Sequence, residues 1–315
     1  MVSSVTSVDF LYRCGNRTQS MLAKIYSLLK RRFIPPVWRR YTNYLFRNGI
    51  SSPCFFLSFD CDTDADAAAG IEVVEFLSEL GIKASFAVPG TQLVNNRDIY
   101  RHLAASGIEF LNHGYLPHTE WDGEKYIART FYNEMPRDAV EEDIRKADAT
   151  IRDILGCPPK GFRAPHFGYF QKTDEVAFMH TVCASLGYTY ASTTLPAYAF
   201  ENGPAFLSHG IVELPVIGSW SSPHTILDSW NYLADRVHYT LSDTYYELFA
   251  ETLIMAEKYA LPMLFCWYAD PSHVVGQSPF MKAMELVAGK GLATYSGSEC
   301  AALWAGRLAG ASCAV

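Results

Sequence analysis

The chain has 315 residues, of which 49% are hydrophobic and 14% aromatic, and its formal charge at pH 7 is −7. This length and composition exclude a disordered chain and predict one large α/β domain or two small ones. No run of about 18 apolar residues is present, so no membrane-spanning segment is expected. The eight cysteines have no paired spacing, which predicts buried free thiols in a cytoplasmic protein rather than a disulfide framework.

The first fifty residues differ in charge from the rest of the chain. They contain nine Lys or Arg and one acidic residue, a formal charge of +8. Residues 19–32 predict an amphipathic helix, which Pro35 and Pro36 separate from a second helical stretch. Residues 1–50 have three open interpretations: peripheral contact with the inner face of a membrane, packing on the acidic domain predicted at residues 51–310, or a contact within an oligomer. No nucleic acid partner is expected, because the acidic main domain would repel phosphate.

From residue 55 onward, predicted strands and helices alternate about seven times. Strands are predicted at 55–60, 83–88, 108–111, 161–163, 188–192, 212–216, 263–268 and 293–296. Helices are predicted at 66–80, 96–106, 137–155, 173–186, 242–259, 279–288 and 298–309. This alternation is typical of a parallel α/β barrel or a doubly wound sheet. A nucleotide-binding sheet is disfavoured, because no phosphate-binding glycine pattern follows the first strand.

Three acids spaced two apart, Asp60, Asp62 and Asp64, follow the first strand. Parallel sheets carry their chemistry at the carboxyl ends of strands, and close carboxylates raise one another's pKa unless a cation or donor is near. A calcium loop is excluded, because its sixth and twelfth positions hold Ala65 and Ile71. A phosphatase with Asp60 as nucleophile and a metal-dependent hydrolase both stay open.

Further polar residues follow three later strands. His113 and His118 lie in a loop containing Gly and Pro, and together with one carboxylate they predict a catalytic zinc-type site that Fe²⁺ or Co²⁺ would also suit. Arg163 follows the next strand and is a candidate partner for holding a carboxylate ionised. Asp270 and His273 follow the strand at 263–268.

These four stretches resemble the polysaccharide deacetylase family (carbohydrate esterase family 4, NodB-like), over about residues 53–300. The resemblance implies a distorted (β/α)7 barrel, outside which residues 1–50 form an extra basic helical segment. Residues 58–62 (SFDCD) match the first family motif and imply Asp60 as the catalytic base and Asp62 as a metal ligand. The second motif implies His113 and His118 as the other ligands, with four intervening residues where the family usually has three.

The third motif, Arg-x-Pro, matches residues 163–165 and implies that Arg163 steadies the catalytic base. Pro165 of the same motif is assigned to substrate binding. Tyr115 is also assigned to substrate binding, and a main-chain N–H near Tyr115 or Leu116 is expected to stabilise the oxyanion.

The last two motifs are looser. Residues 213–215 and 228–230 resemble a segment carrying an acid and an aromatic pocket wall, so Trp230 is assigned to substrate binding, with Trp220 as the alternative wall. His273 is the candidate acid that protonates the leaving amine. Asp270 is the other candidate for that position, because the family often has its histidine nearer to Asp270.

The resemblance implies a metal-dependent hydrolase that releases acetate or formate from an N-acylated amino sugar, with one divalent metal, Zn²⁺ before Fe²⁺ or Co²⁺. A lipid-linked or nucleotide-linked sugar in cell-envelope polysaccharide or glycolipid biosynthesis is the expected substrate. The alternative is a barrel that has lost catalysis and acts as a binding or scaffold protein. The longer histidine loop and the displaced final histidine favour that alternative.

Overall fold

The strand before the acid triplet lies between two parallel neighbours in the largest sheet of the computed structural model, which describes residues 33–50 and 52–312. Every residue of this strand, Cys54–Asp60, is buried. A continuous apolar run suits this position, because helices cover both faces of a parallel sheet. The thirteen strands of the described residues are β1 (Cys54–Asp60), β2 (Ala84–Val88), β3 (Glu109–Asn112), β4 (Thr119–Trp121), β5 (Tyr126–Ala128), β6 (Gly161–Arg163), β7 (Tyr190–Ser192), β8 (Phe206–Ser208), β9 (Ile211–Glu213), β10 (Leu233–Asp235), β11 (Thr240–Leu241), β12 (Leu264–Ala269) and β13 (Ala293–Tyr295).

The sheet follows the order β12, β1, β2, β3, β6, β7, β9, with all these neighbours parallel. β8 adds to β9 antiparallel, and β13 pairs with the first half of β1. The segment after β9 turns toward the opposite edge, where the Ile217 N–H donates to the Cys266 carbonyl of β12 at 3.1 Å. The sheet therefore curls into a barrel closed by an irregular segment, and the predicted fold class, an α/β barrel of the NodB type, is confirmed.

The α-helices pack around this sheet. They are α1 (Pro36–Arg47), α2 (Asp64–Glu79), α3 (Gly90–Asn95), α4 (Arg97–Ala105), α5 (Arg137–Leu155), α6 (Thr173–Ser185), α7 (Pro196–Asn202), α8 (Asp243–Tyr259), α9 (Pro271–Val274), α10 (Ser278–Gly289) and α11 (Gly297–Ser312). The observed bounds of α5 and β6 equal the predicted ones. The short helices α3, α7 and α9 and the hairpins β4–β5 and β10–β11 were not predicted, because segments of two to seven residues carry little periodicity.

The helix α1 packs on the barrel with one face. Trp38, Tyr41 and Leu45 are fully buried, and the Tyr41 hydroxyl donates to the carbonyl of Leu264, the first residue of β12, at 2.5 Å. The Trp38 ring stacks on Trp220 with centroids 5.7 Å apart and donates from Nε1 to the Trp220 carbonyl. Residues 36–47 thus support the packing interpretation. The predicted helix at 19–32 lies outside the described residues.

Among the described residues, no helix is both long enough and apolar enough to cross a bilayer. Five of the six described cysteines are buried free thiols, as predicted, and Cys157 is exposed.

Candidate active site

The pocket at the carboxyl ends of the parallel strands brings together most of the predicted site residues. It has a volume of about 350 Å³, and Asp60, Asp62, His113, Trp230 and His273 line it. These residues come from three strand ends and one 3₁₀ turn that are far apart in the sequence. Its other aromatic lining residues are Tyr126, Phe131, Phe167, Tyr169, Tyr239 and Tyr268.

The turn after β1 is fixed before any ligand binds. Thr63 caps α2, since its hydroxyl accepts from the Asp66 N–H at 3.1 Å while the Asp66 carboxylate accepts from the Thr63 N–H at 3.0 Å. The carbonyl of Asp62 accepts from Gln92 Nε2 and from Thr119 Oγ1, each at 3.2 Å. The carboxylate of Asp62 is thereby held toward the pocket.

The loop after β3 brings the two histidines together despite its extra residue. Asn112 accepts from the Gly114 N–H at 2.8 Å, and Gly114 adopts a φ of +77°. A Cβ at Gly114 would lie 2.4 Å from Asp143 Oδ2, so only glycine fits this turn. The ring centroids of His113 and His118 are 4.3 Å apart. The longer spacing therefore does not separate the two imidazoles.

Asp62, His113 and His118 each place one ligand atom within 4.8 Å of the others. The Asp62 Oδ1 atom lies 3.6 Å from His113 Nε2 and 3.0 Å from His118 Nδ1. His113 Nδ1 lies 2.8 Å from the Arg163 carbonyl, an acceptor that fixes the proton there and leaves Nε2 as a ligand atom. His118 Nε2 is buried without a hydrogen-bond partner. This donor set fits one divalent metal ion of the zinc type.

The carboxylates beside this group differ in their electrostatic environment. Burial raises the pKa of Asp62, but the neighbouring His118 and His113 outweigh it, so this pKa lies below its ordinary range. Burial raises the pKa of Asp60 well above its ordinary value, opposed by Arg163 and reinforced by Asp62 and Asp270. Arg163 is fully buried, and its Nε lies 3.5 Å from Asp60 Oδ1. Within the described chain, Arg163 is therefore the one charged cation in ion-pair contact with Asp60, because burial lowers the pKa of the neighbouring His113 well below its ordinary value.

Both candidates for the acid position belong to the site. His273 Nδ1 lies 2.8 Å from Asp270 Oδ2, and the buried Ser229 hydroxyl contacts both, donating to Asp270 Oδ2 at 3.0 Å. Burial lowers the pKa of His273, but the carboxylates of Asp270, Asp66 and Asp228 outweigh it and raise this pKa above its ordinary value. Asp270 therefore lies where it stabilises the charged form of His273.

Two predicted substrate-binding residues do not line the pocket. The ring of Tyr115 packs against Gly90 and lies beneath Lys146, whose Nζ is 3.7 Å from the ring centroid, because the turn at Gly114 directs it outward. Pro165 is buried beside the pocket lining rather than within it. Both assignments to substrate binding stay predictions.

Of the two expected oxyanion donors, the Leu116 N–H already donates to Asp143 Oδ1 at 2.8 Å, and the N–H of Tyr115 stays a prediction. Of the two candidate tryptophans, Trp230 lines the pocket and is 43% exposed, whereas Trp220 packs on α1. Glu213 is fully buried in a network with His180 and two threonines and does not reach the pocket.

Several pocket residues were missed in the sequence. His166 directly follows the Arg-x-Pro motif, which was a usable signal, and its ring stacks on Phe131 at 4.6 Å. Tyr239 packs on the His273 ring with centroids 4.4 Å apart, but it lies in an unpredicted hairpin. Asp66 was assigned only to a helix, although its side chain also lines the pocket.

Comparison with known proteins supports the resemblance. Residues 48–191 match the family model of polysaccharide deacetylase, so the resemblance implied by the motifs is confirmed over this part of the chain. A Mycobacterium smegmatis protein described as a polysaccharide deacetylase has a similar fold (TM-score 0.58, 17% identity, 80% of this chain and 90% of that chain). The structure titled Puue Allantoinase is similar to the same degree (TM-score 0.58, 11% identity, 80% and 89%). No curated protein sequence matches the chain.

Proposed function

We propose that this protein is a metal-dependent hydrolase that removes an N-acetyl or N-formyl group from an amino sugar. The observation that carries the proposal is that three groups of side chains converge on one pocket. They are Asp60, the possible metal ligands Asp62, His113 and His118, and the pair formed by His273 and Asp270. A base, a metal-ligand set and an acid are the three elements of metal-assisted amide hydrolysis.

The chain's own residues divide this reaction between two sides of the pocket. Asp60 accepts the proton of the attacking water, and the buried guanidinium of Arg163 favours its ionised form. His273 donates a proton to the departing nitrogen, because an unprotonated amine is a poor leaving group. Asp270 holds the His273 ring through Nδ1, which leaves Nε2 as the donating atom.

Asp62, His113 and His118 would hold one divalent metal, most suitably Zn²⁺, with Fe²⁺ or Co²⁺ as alternatives. Such an ion, when bound, lowers the pKa of water and polarises a carbonyl group. The negative potential of four pocket-lining carboxylates favours a cation here; they are Asp60, Asp62, Asp66 and Asp270.

The aromatic lining supports a sugar as the group that carries the amide. Tyr126, Phe131, Tyr239 and Trp230 offer apolar ring faces around the polar centre, as binding sites for small organic ligands commonly do. We assign the substrate to cell-envelope polysaccharide or glycolipid biosynthesis, as a lipid-linked or nucleotide-linked amino sugar.

The exposed face of α1 supports a peripheral membrane contact at the inner face of the membrane. Arg39, Arg40 and Arg47 lie on that face, and residues 1–32 add further basic residues. This helix contacts the first residue of β12, whereas the pocket lies at the carboxyl ends of the strands. Contact through α1 would leave the pocket open to solution, which favours the nucleotide-linked form of the substrate over the lipid-linked form.

The test is release of acetate or formate from N-acylated amino sugars by the zinc-loaded full chain. We expect turnover that is abolished in Asp60→Asn while bound zinc is retained, since this change removes the base and leaves the ligand set intact. Turnover that survives in Asp60→Asn would contradict the assignment. Zinc binding without turnover of any N-acyl sugar would instead favour a binding or scaffold protein. Two observations weaken that alternative, namely the close approach of His113 to His118 and the position of His273 in the pocket.

A further inference from the structure

Asp66 is a buried carboxylate that the proposed reaction does not use. It is 2% exposed, lines the pocket, and accepts four hydrogen bonds. Its Oδ2 atom accepts from the N–H and hydroxyl of Thr63 at 3.0 and 2.7 Å. Its Oδ1 atom accepts from the N–H and hydroxyl of Ser272 at 3.0 and 2.6 Å. Every strong acceptor position of this carboxylate is therefore occupied by the protein itself.

These four bonds join two catalytic turns. Thr63 belongs to the turn after β1, which carries Asp60 and Asp62, and Ser272 belongs to α9, which carries His273. β1 and β12 are parallel neighbours, so the two turns leave adjacent strand ends. The ladder between these strands ends at Phe59 and Ala269, and beyond it the carboxylate of Asp66 joins the two turns.

Helix capping alone does not account for this arrangement. The capping box of α2 uses the Asp66 main-chain N–H and the Oδ2 atom, and it would be complete without any contact to residue 272. Asp64 lies in the same first turn but is exposed, and its carboxylate accepts from Asn96 rather than from the β12 side. The Oδ1 atom of Asp66 therefore has a second role.

We propose that Asp66 is a positioning residue that fixes His273 relative to the turn carrying Asp60 and the metal-ligand Asp62. Ser272 directly precedes His273 in α9, so holding both of its donors fixes the helix turn on which the imidazole stands. The pairing of His273 with Asp270 then sets the ring orientation within that fixed turn. The expected effect of Asp66 on kcat rests on the proposed function, whereas its expected effect on the position of His273 does not.

Loss of this bridge should affect proton donation to the leaving group more than any other step. Asn at position 66 has one acceptor oxygen, so it can satisfy the donors of Thr63 or those of Ser272 but not both sets. We expect Asp66→Asn and Ser272→Ala to lower kcat for an N-acetyl amino sugar at least about tenfold, part of the effect of a general acid. Hydrolysis of an aryl acetate ester should fall much less, because a phenolate leaves without protonation.

Three variants of the full zinc-loaded chain test the proposal. Asp66→Asn leaves an acceptor for only one side of the bridge, and Ser272→Ala removes one donor while leaving the capping box intact. Asp64→Asn is the matched control, since it changes an acid in the same helix turn that has no contact with α9. Each variant is measured for kcat and KM on the amide and the aryl ester. The imidazole NMR signals of His273, assigned with His273→Gln, are measured in parallel.

The expected result is a shift of the His273 signals and an amide-selective loss of kcat in Asp66→Asn and Ser272→Ala, with Asp64→Asn unchanged. Unshifted His273 signals in both variants would overturn the proposal, as would equal losses on the amide and the ester. If Asp66→Asn does not fold, Ser272→Ala alone decides by the same criteria. If the wild-type protein hydrolyses no N-acyl sugar, the proposed function fails, and the NMR shifts still decide the positioning role.

Discussion

Replacement of Arg163 by methionine tests the buried charge pair on which the base depends. The guanidinium is fully buried, lies 3.5 Å from Asp60 Oδ1, and donates to the Ser58 hydroxyl. It also lies 4.9 Å from the Phe167 ring centroid and 5.1 Å from that of Tyr268. Methionine retains much of the volume but removes the charge and every donor, so Asp60 stays buried without a positive partner.

The size of the effect follows from these contacts. At an effective dielectric constant of about 20, two unit charges 3.5 Å apart attract by about 5 kcal/mol. Breaking a buried pair by removing one partner typically costs about 3–5 kcal/mol. We therefore expect Arg163→Met to lower the free energy of unfolding by about 3–5 kcal/mol. The remaining Asp60 is an unpaired anion or a protonated carboxyl, and the second form cannot accept a proton, so kcat should fall by about 10²-fold or more.

Urea unfolding of the chelator-treated protein measures the stability change without a contribution from bound metal. Arg137→Met is the matched control, because Arg137 pairs with Asp174 at the surface, where both side chains are more than half exposed. An exposed pair contributes less than about 1 kcal/mol. An Arg163→Met variant as stable as the Arg137→Met variant would refute the argument that a buried charge pair supports Asp60.

Three further predictions test other parts of the account. Trp38→Ala should lower the free energy of unfolding by about 3–5 kcal/mol in urea titrations, because it opens a cavity beneath α1; unchanged stability would mean that α1 is not part of the barrel's folding unit. Gly114→Ala should weaken zinc binding at least about tenfold in calorimetric titrations, whereas Gly123→Ala, also at positive φ but with open space around it, should bind like the wild type. Asp270→Asn should move the alkaline limb of the kcat/KM profile to lower pH, because it lowers the raised pKa of His273. The raised pKa of His273 in the folded state stabilises the wild type below about pH 6.5, and this stabilisation is lost as pH rises through the folded-state pKa. The Asp270→Asn variant should therefore be less stable than the wild type near pH 6 and equally stable at high pH. An alkaline limb that does not move would contradict the pairing of Asp270 with His273.

The strands and helices with a clear hydrophobic pattern could be predicted from the sequence. The buried apolar strand at residues 54–60 and the helix at 137–155 were predictable, because long periodic runs and clear stop residues define them. The strand-end acids and histidines were predictable as one cluster, since the carboxyl ends of parallel strands meet at one edge. Helix α9 was not predictable, because four residues hold no period.

The side-chain directions within loops were not predictable. Tyr115 lies between the two histidines in sequence, yet the positive φ of Gly114 turns it toward Lys146 rather than into the pocket. The pairing of Asp270 with His273 was not predictable from spacing, because it depends on one helical turn that brings both to the same hydroxyl of Ser229. Such outcomes depend on tertiary contacts that spacing along the chain does not encode.

The most direct test of a metal-dependent activity at this site is the zinc stoichiometry of the chelator-treated full chain, measured by calorimetric titration beside His113→Ala. The account predicts about one zinc ion per wild-type chain and loss of that binding in the variant, because Nε2 of His113 is one of three converging ligand atoms. No zinc binding by the wild type, or equal binding by the variant, would contradict a catalytic metal centre at Asp62, His113 and His118.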